Sequence, residues 1–192
     1  MRSGLDLGGA YGATLQRIKA QGGERERLGM AALMWISYSR RPLQVDEICH
    51  AVAVRIGSND LDSDDIPTIS TVLDCCQGLV TIEKGTWTIR LIHFTLQNYL
   101  CTHPDLFHRA HSTMAETCLT YLNFQRIKDL PAGCPQTPGI HPCLNILLYI
   151  GESTCEWSSR IAQKHLRSSF LVSSIATYLP NPFGSQSMGG CP

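Results

Sequence analysis

The sequence LVTIEKGTWTIRLI, residues 79–92, contains two runs rich in β-branched and aromatic residues on either side of a Lys-Gly-Thr turn. Two such runs joined by a short loop that contains glycine predict a β-hairpin. We therefore expect strands at residues 79–83 and 87–92, with the turn at residues 84–86. This hairpin decides the fold, because the patterns on both sides of it are helical.

The segments around the hairpin place apolar residues at intervals of three and four, which is the period of an amphipathic helix. We expect helices at residues 11–20, 24–38, 68–76, 95–100 and 113–124, and a further helix that begins at Asp46 and Glu47. Residues 43–45 form a short extended segment, and residues 57–66 form a loop with four aspartates. We also expect Pro67 in the first turn of its helix, and Thr113 with Glu116 as a capping box.

Helix, turn, helix, acidic loop, helix, hairpin and closing helix follow one another in the order of a winged helix. The fold class is therefore mainly α with a small β-hairpin, flanked by helices and followed by an irregular tail. We expect a helical connector at residues 1–27, the winged helix at 28–103, a helical extension at 104–130 and the tail at 131–192. A winged helix is a recognition or regulatory module, so an enzyme is not the first expectation.

The composition limits the partners and the compartment. Sixteen basic and sixteen acidic residues cancel, and a neutral chain does not attract nucleic acid or an anionic membrane over long distances. The nine cysteines are odd in number and include no Cys-x-x-Cys pair, which favours reduced cysteines in an intracellular protein. The apolar runs are shorter than a membrane span. We expect a soluble, cytoplasmic protein.

No motif for independent catalysis is visible. The sequence has no P-loop, no Gly-x-Ser-x-Gly and no His-Glu-x-x-His, so we expect neither an enzyme nor a bound cofactor. Cys101, His103, His108 and His111 have a spacing that matches no common closed zinc site, although a small metal-binding protein stays an alternative. Cys75 and Cys76 are interpreted as core cysteines rather than a redox pair.

DNA binding is the obvious alternative for a winged helix, and the charges disfavour it. The helix at residues 68–76 would occupy the recognition position, yet it has no lysine or arginine and carries Asp74. Residues 28–103 contain five basic residues against eight acidic ones, which repels phosphate. Contact with another protein is the use that remains for such a module.

Three stretches resemble the segment that follows the NTPase core in fungal NACHT–ankyrin proteins, which are NOD-like, signal-transducing NTPases. The module there is also similar to the winged helix of GPI inositol-deacylase-like proteins. The stretches are RxRLGM and WISYxxRPLxVDE (residues 25–30 and 35–47), CxGLV and IRLIHFTLQxYL (76–80 and 89–100), and HSxxAExCLxYL (111–122).

The resemblance implies a partner and a site. In that family the NACHT core binds ATP or ADP, the winged helix folds against the core in the resting state, and ankyrin repeats commonly follow. The present chain has neither a P-loop nor an ankyrin period, so the resemblance implies a fragment or truncated product. It also implies that His93, at a strand-to-helix junction, contacts the diphosphate of ADP when a NACHT core is present. A histidine that only caps the helix is the alternative.

The resemblance stops between residues 130 and 144, where relatives continue with the run LEYSSLYWGE. One coding of that run, read one base later, gives LNILLYIGE, which is the sequence of residues 144–152. Beyond residue 151 the chain has no amphipathic period and ends in a segment rich in glycine, serine and proline. We therefore interpret residues from about 140 to 192 as a frameshifted readout, with a divergent or spliced tail as the alternative. Translation of the neighbouring frame of the gene distinguishes the two.

Overall fold

The computed structural model describes residues 7–125 of the chain. Within this part, helices and a small sheet alternate in the predicted order, which confirms a mainly helical fold of the winged-helix type. The helices are α1 (Leu7–Ala20), α2 (Gly23–Tyr38), α3 (Val45–Ala53), α4 (Ile69–Cys75), α5 (Phe94–Thr102) and α6 (Ala110–Leu122). The strands are β1 (Leu43–Gln44), β2 (Val80–Glu83) and β3 (Thr88–Leu91). The tail predicted at 131–192, together with residues 1–6 and 126–130, lies outside the described residues.

The sheet has three antiparallel strands in the order β1-β3-β2. The predicted hairpin is confirmed, with Val80 opposite Leu91 and Glu83 opposite Thr88. The extended segment after α2 is more than a connection, because β1 pairs with β3 as a third strand. Trp87, which we expected in a strand, lies in the turn with a φ of 53° and is 66% exposed.

Helix α2 is the centre of the packing. The predicted apolar face named Leu28, Ala31, Ala32, Trp35 and Ile36; the first, third and fourth are buried, whereas Ala31 and Ile36 are half-buried. The buried surface is wider than one face because α2 packs against every other helix and against β3. The additional buried residues are Gly29, Leu33, Met34 and Ser37. A helix that is buried on most sides shows little amphipathic periodicity, so the spacing of its apolar residues predicts fewer buried positions than the structure has.

Helices α2 and α4 approach each other closely at Gly29. A Cβ atom at this position would lie 2.7 Å from the carbonyl oxygen of Cys75 and 2.9 Å from Cγ2 of Ile18. The adjacent Cys76 is also buried, and burial raises the pKa of its thiol to about 12. The pKa of Cys75 is raised as well, again by burial. Both thiols are therefore protonated near neutral pH, as expected of core cysteines rather than a reactive pair.

Two expected helix starts are wrong in detail. Pro67 precedes its helix, which begins at Ile69 with Thr68 as the N-cap. Thr113 lies inside α6, because that helix begins three residues earlier with Arg109 as a left-handed N-cap; Thr113 and Glu116 therefore form no capping box. A capping box occurs instead at α3, a helix that we expected to begin near Asp46.

None of the helices in residues 7–125 combines the length and the apolar character needed to cross a bilayer.

Candidate interaction surface around His93

His93 is the N-cap of α5. Its backbone is extended, and its Nδ1 accepts a hydrogen bond from the backbone N–H of Thr95 at 3.2 Å. The Thr95 hydroxyl lies 2.8 Å from the same Nδ1 and 2.8 Å from the hydroxyl of Tyr11. A chain of hydrogen bonds thus runs from α1 through Thr95 to His93. It fixes the orientation of an imidazole that is itself exposed.

This geometry assigns the tautomer of neutral His93. Because the backbone N–H of Thr95 donates to Nδ1, that nitrogen must carry a lone pair, and the ring proton is on Nε2. Nε2 makes no hydrogen bond with any residue between 7 and 125. His93 therefore has an N–H available to an external acceptor, beside the positive end of a nine-residue helix. The capping role that we considered as the alternative is present in the structure, and it is compatible with an outer contact.

A groove of about 520 Å³ lies next to His93. Its walls come from the end of α2, the connection to β1, strand β3 and the start of α5. The residues that line the groove are Ile36, Ser39, Arg40, Arg41, Pro42, Ile89, Arg90, Leu91, Ile92, His93, Phe94 and Gln97. Three arginines and no carboxylate are among them, so the groove attracts negatively charged groups more than the acidic composition of the domain suggests.

Two of these arginines are held by glutamates outside the lining. Arg41 donates two hydrogen bonds to the buried carboxylate of Glu47, at 2.5 and 2.8 Å. Arg90 pairs with Glu83 at 2.7 Å across the hairpin, and the side chain of Arg90 is 61% exposed and that of Glu83 42%. An exposed pair of this kind contributes at most about 1 kcal/mol, so an incoming carboxylate can compete for Arg90.

The rim of the groove is apolar and open to solvent. Phe94 is 76% exposed and Ile92 is 48% exposed, and they flank His93 in the sequence. The Phe94 ring lies 4.5 Å from the imidazole of His93, centroid to centroid. Exposed large apolar side chains next to a groove are typical of a surface that another molecule covers. His93, Ile92, Phe94 and the groove are called the His93 surface below.

The four residues considered as metal ligands have separate surroundings. The Nδ1 of His103 is 2.7 Å from the carbonyl oxygen of Tyr99, and its ring stacks on Tyr99. His111 packs edge-on against Tyr38 although it is exposed, and Cys101 and His108 are exposed as well. In the part of the chain that the structure describes, no group of three His, Cys, Asp or Glu side chains is arranged to hold a metal ion.

Helix α4 occupies the position at which a DNA-binding winged helix would read bases. It is seven residues long, has no basic side chain and exposes Asp74. The arginines of the His93 surface lie on other elements. The charge distribution therefore continues to disfavour phosphate contacts through α4.

Sequence reasoning found His93 but missed its surroundings. Arg40, Arg41 and Arg90 show no shared role in the sequence, where Arg90 lies about 50 residues from the other two. Their convergence depends on β1 pairing with β3, and no short-range pattern reveals this pairing. The adjacency of Ile92 and Phe94 to His93 was visible, but two apolar residues at a strand-to-helix junction are more often buried than exposed.

Taken together, these elements define a winged helix whose distinctive surface lies at the start of α5. Residues 16–118 match the family model of the GPI inositol-deacylase winged helix domain. The match covers more than half of the chain, which therefore belongs to this family of winged helix domains. No curated protein and no solved structure matches the chain.

Proposed function

We propose that this chain is a non-catalytic regulatory module that packs against the core of a NACHT-type signalling NTPase through the His93 surface. In this proposal His93 donates its Nε2–H to the diphosphate of ADP bound by that core. The proposal combines the winged helix family, to which the chain belongs, with the resemblance of residues 25–122 to NACHT–ankyrin proteins.

The observation that carries the proposal is the fixed orientation of His93. A neutral imidazole with Nδ1 occupied by the Thr95 N–H offers only a donor to a partner, and phosphate oxygens are acceptors. The N-terminus of α5 adds a positive partial charge at the same place. Three arginines line the groove beside His93, and arginine side chains bind phosphate oxygens well.

The rim supports a protein partner rather than a free nucleotide. Phe94 and Ile92 offer apolar surface that a small anion would leave in water. Protein interfaces typically combine such apolar anchors with arginine. The sequence contains no P-loop motif, which supports a module that does not bind a nucleotide by itself.

The test is complex formation between this chain and a purified NACHT core from the same cell, with and without ADP. We expect a stoichiometric complex whose affinity rises with ADP. His93→Asn keeps an N-cap for α5 but removes the imidazole, so it should remove most of the ADP dependence while the fold is retained. His108→Ala is the matched control, since His108 is an exposed histidine away from the groove.

The outcomes separate the two parts of the proposal. If the complex forms but His93→Asn leaves the ADP dependence unchanged, His93 is not a phosphate contact. If no complex forms with any core, the partner class is wrong. Salt-dependent retention on DNA, or stoichiometric zinc after dialysis, would instead support the DNA-binding or metal-binding alternative.

A further inference from the structure

The loop between α3 and α4 carries an exposed cluster of negative charge at Asp62, Asp64 and Asp65. None of the three forms an ion pair with a residue in the described range 7–125. A short 3-10 turn at Ser63–Asp65 holds this segment in place, with the Asp62 carboxylate accepting the N–H of Asp64 at 3.2 Å. Residues 60–65 contain no basic side chain. We call them the acidic loop.

The groove of the His93 surface has the opposite character. Three arginines and no carboxylate line it, although Glu47 and Glu83 pair with Arg41 and Arg90 from outside the lining. Phe94 and Ile92 leave apolar area exposed at its rim. One polar atom in its wall is unsatisfied: the hydroxyl oxygen of Ser39 is buried and has no hydrogen-bond partner among residues 7–125. A buried hydroxyl without a partner is costly, and an acceptor that enters the groove would remove that cost.

Groove and acidic loop belong to the same chain but share no residue. The groove is built from residues 36–42 and 89–97, whereas the loop comprises residues 60–65. The chain has no formal net charge, so two copies do not repel each other at long range. Opposite charges separated on the surface of a neutral molecule favour contact between unlike patches of two copies.

We propose that the groove of one copy binds the acidic loop of a second copy. The aspartates of the loop would face Arg40 and Arg90, which are exposed and can exchange their present partners for these carboxylates. One aspartate oxygen would accept a hydrogen bond from Ser39. Since the two patches differ, the contact is head-to-tail and leaves one groove and one loop available for further copies. The proposal does not rest on the proposed function. A NACHT core that occupies the His93 surface would compete with this self-association.

The test is sedimentation velocity of the full 192-residue chain, with a reductant, over a roughly hundredfold range of concentration. We expect the weight-average sedimentation coefficient to rise with concentration and to fall with salt. R40E/R90E reverses the groove, and D64R/D65R reverses the loop; each alone should lower the association constant by roughly tenfold or more. Mixing the two variants should restore association, because each then supplies the complement of the other.

Matched controls separate this contact from a general charge effect. R17E/K84E changes the net charge by the same amount as R40E/R90E, and D74R/D105R by the same amount as D64R/D65R. The four control positions are exposed and lie outside both the groove and the acidic loop. The controls should associate like the wild type. The proposal is overturned if the wild type stays monomeric throughout, if the control and test variants lose association equally, or if the mixture does not recover.

Discussion

Gly29 shows how one residue sets the distance between two helices. A side chain at this position would meet the backbone carbonyl of Cys75, which belongs to α4 and cannot turn away as a flexible side chain could. Cys75 and Cys76 are both buried, and the thiol of Cys76 lies 3.9 Å from the carbonyl oxygen of Gly29. Glycine in the middle of α2 is unfavourable for the helix itself, so the close crossing is the reason for its presence.

We expect Gly29→Ala to lower the free energy of unfolding by about 1–3 kcal/mol, because the added methyl group forces the helices apart. Gly12→Ala is the control. Its Cβ would meet only the hydroxyl of Tyr99, at 3.3 Å, and alanine improves the propensity of α1. Urea unfolding of the two variants measures the difference. Equal stability of Gly29→Ala and the wild type would show that the helices do not need this contact.

At the residue scale, the sequence predicted large apolar positions better than close contacts. Trp35 and Leu28 followed from the helical period, and both are buried. Leu91, which lies in the predicted hairpin, is only half-buried because it reaches the wall of the groove. Gly29 could not be predicted, because its importance depends on which helix crosses α2 at that point, and periodicity contains no information about crossing points.

The start of α3 is fixed by a capping box and an ion pair. Gln44 and Glu47 form a capping box, in which the Glu47 carboxylate accepts the backbone N–H of Gln44 at 2.9 Å. The same carboxylate binds Arg41, so it joins the end of β1, the first turn of α3 and the groove. The sequence predicts this motif at Thr113 because serine or threonine is its usual first residue, and glutamine in that role is uncommon.

Glu47→Ala should lower the free energy of unfolding by about 2–4 kcal/mol, since it removes a buried carboxylate with three hydrogen bonds. The loss is limited because Arg41 is partly exposed, so its guanidinium can turn to water when Glu47 is absent. Glu47→Gln should cost less, because its amide oxygen still accepts from Gln44. Thermal unfolding of both variants checks the order. If the glutamine variant is as unstable as the alanine variant, the ion pair outweighs the capping box.

Glu24 of α2 pairs with Arg27 of the same helix and with Arg55, which follows α3, and Arg27 donates a hydrogen bond to the carbonyl oxygen of Val52 in α3. Hydrogen bonds from Arg27 are the main reason that the pKa of Glu24 lies below its ordinary value of 4.5, and the charges of Arg27 and Arg55 act in the same direction. A folded-state pKa below the unfolded one means that this carboxylate stabilises the fold at neutral pH. The contribution is lost as the pH falls below the ordinary carboxyl value.

Wild-type protein should therefore lose more stability than Glu24→Gln when the pH is lowered from about 5 to about 3. Glu26→Gln is the control, because Glu26 is in the same helix turn but in none of the four ion pairs of the described residues. It should keep the wild-type pH dependence. Denaturant unfolding at each pH gives the comparison, and parallel curves for wild type and Glu24→Gln would contradict the assigned role.

For the whole molecule, the order of the elements was predictable and their association was not. Alternating periods gave six helices and a hairpin, because each period is a local property of the chain. The third strand and the packing of α1 and α6 around α2 depend on contacts between distant residues. The proposed frameshift after about residue 140 stays a prediction, since those residues lie outside the described part.

The packing makes a prediction about the unit that folds. Leu15 and Ile18 of α1 and Met114 and Cys118 of α6 are each at most 2% exposed, so the core extends beyond the winged helix that we outlined at residues 28–103. The family match at residues 16–118 includes three of these four positions.

We expect a fragment of residues 1–125 to unfold in a single cooperative transition. A fragment of residues 28–103 should lose this cooperativity, because removing α1 and α6 exposes the sides of α2 that they cover. Differential scanning calorimetry of both fragments decides the matter: a sharp transition from the shorter fragment would mean that α1 and α6 are accessories rather than part of the core.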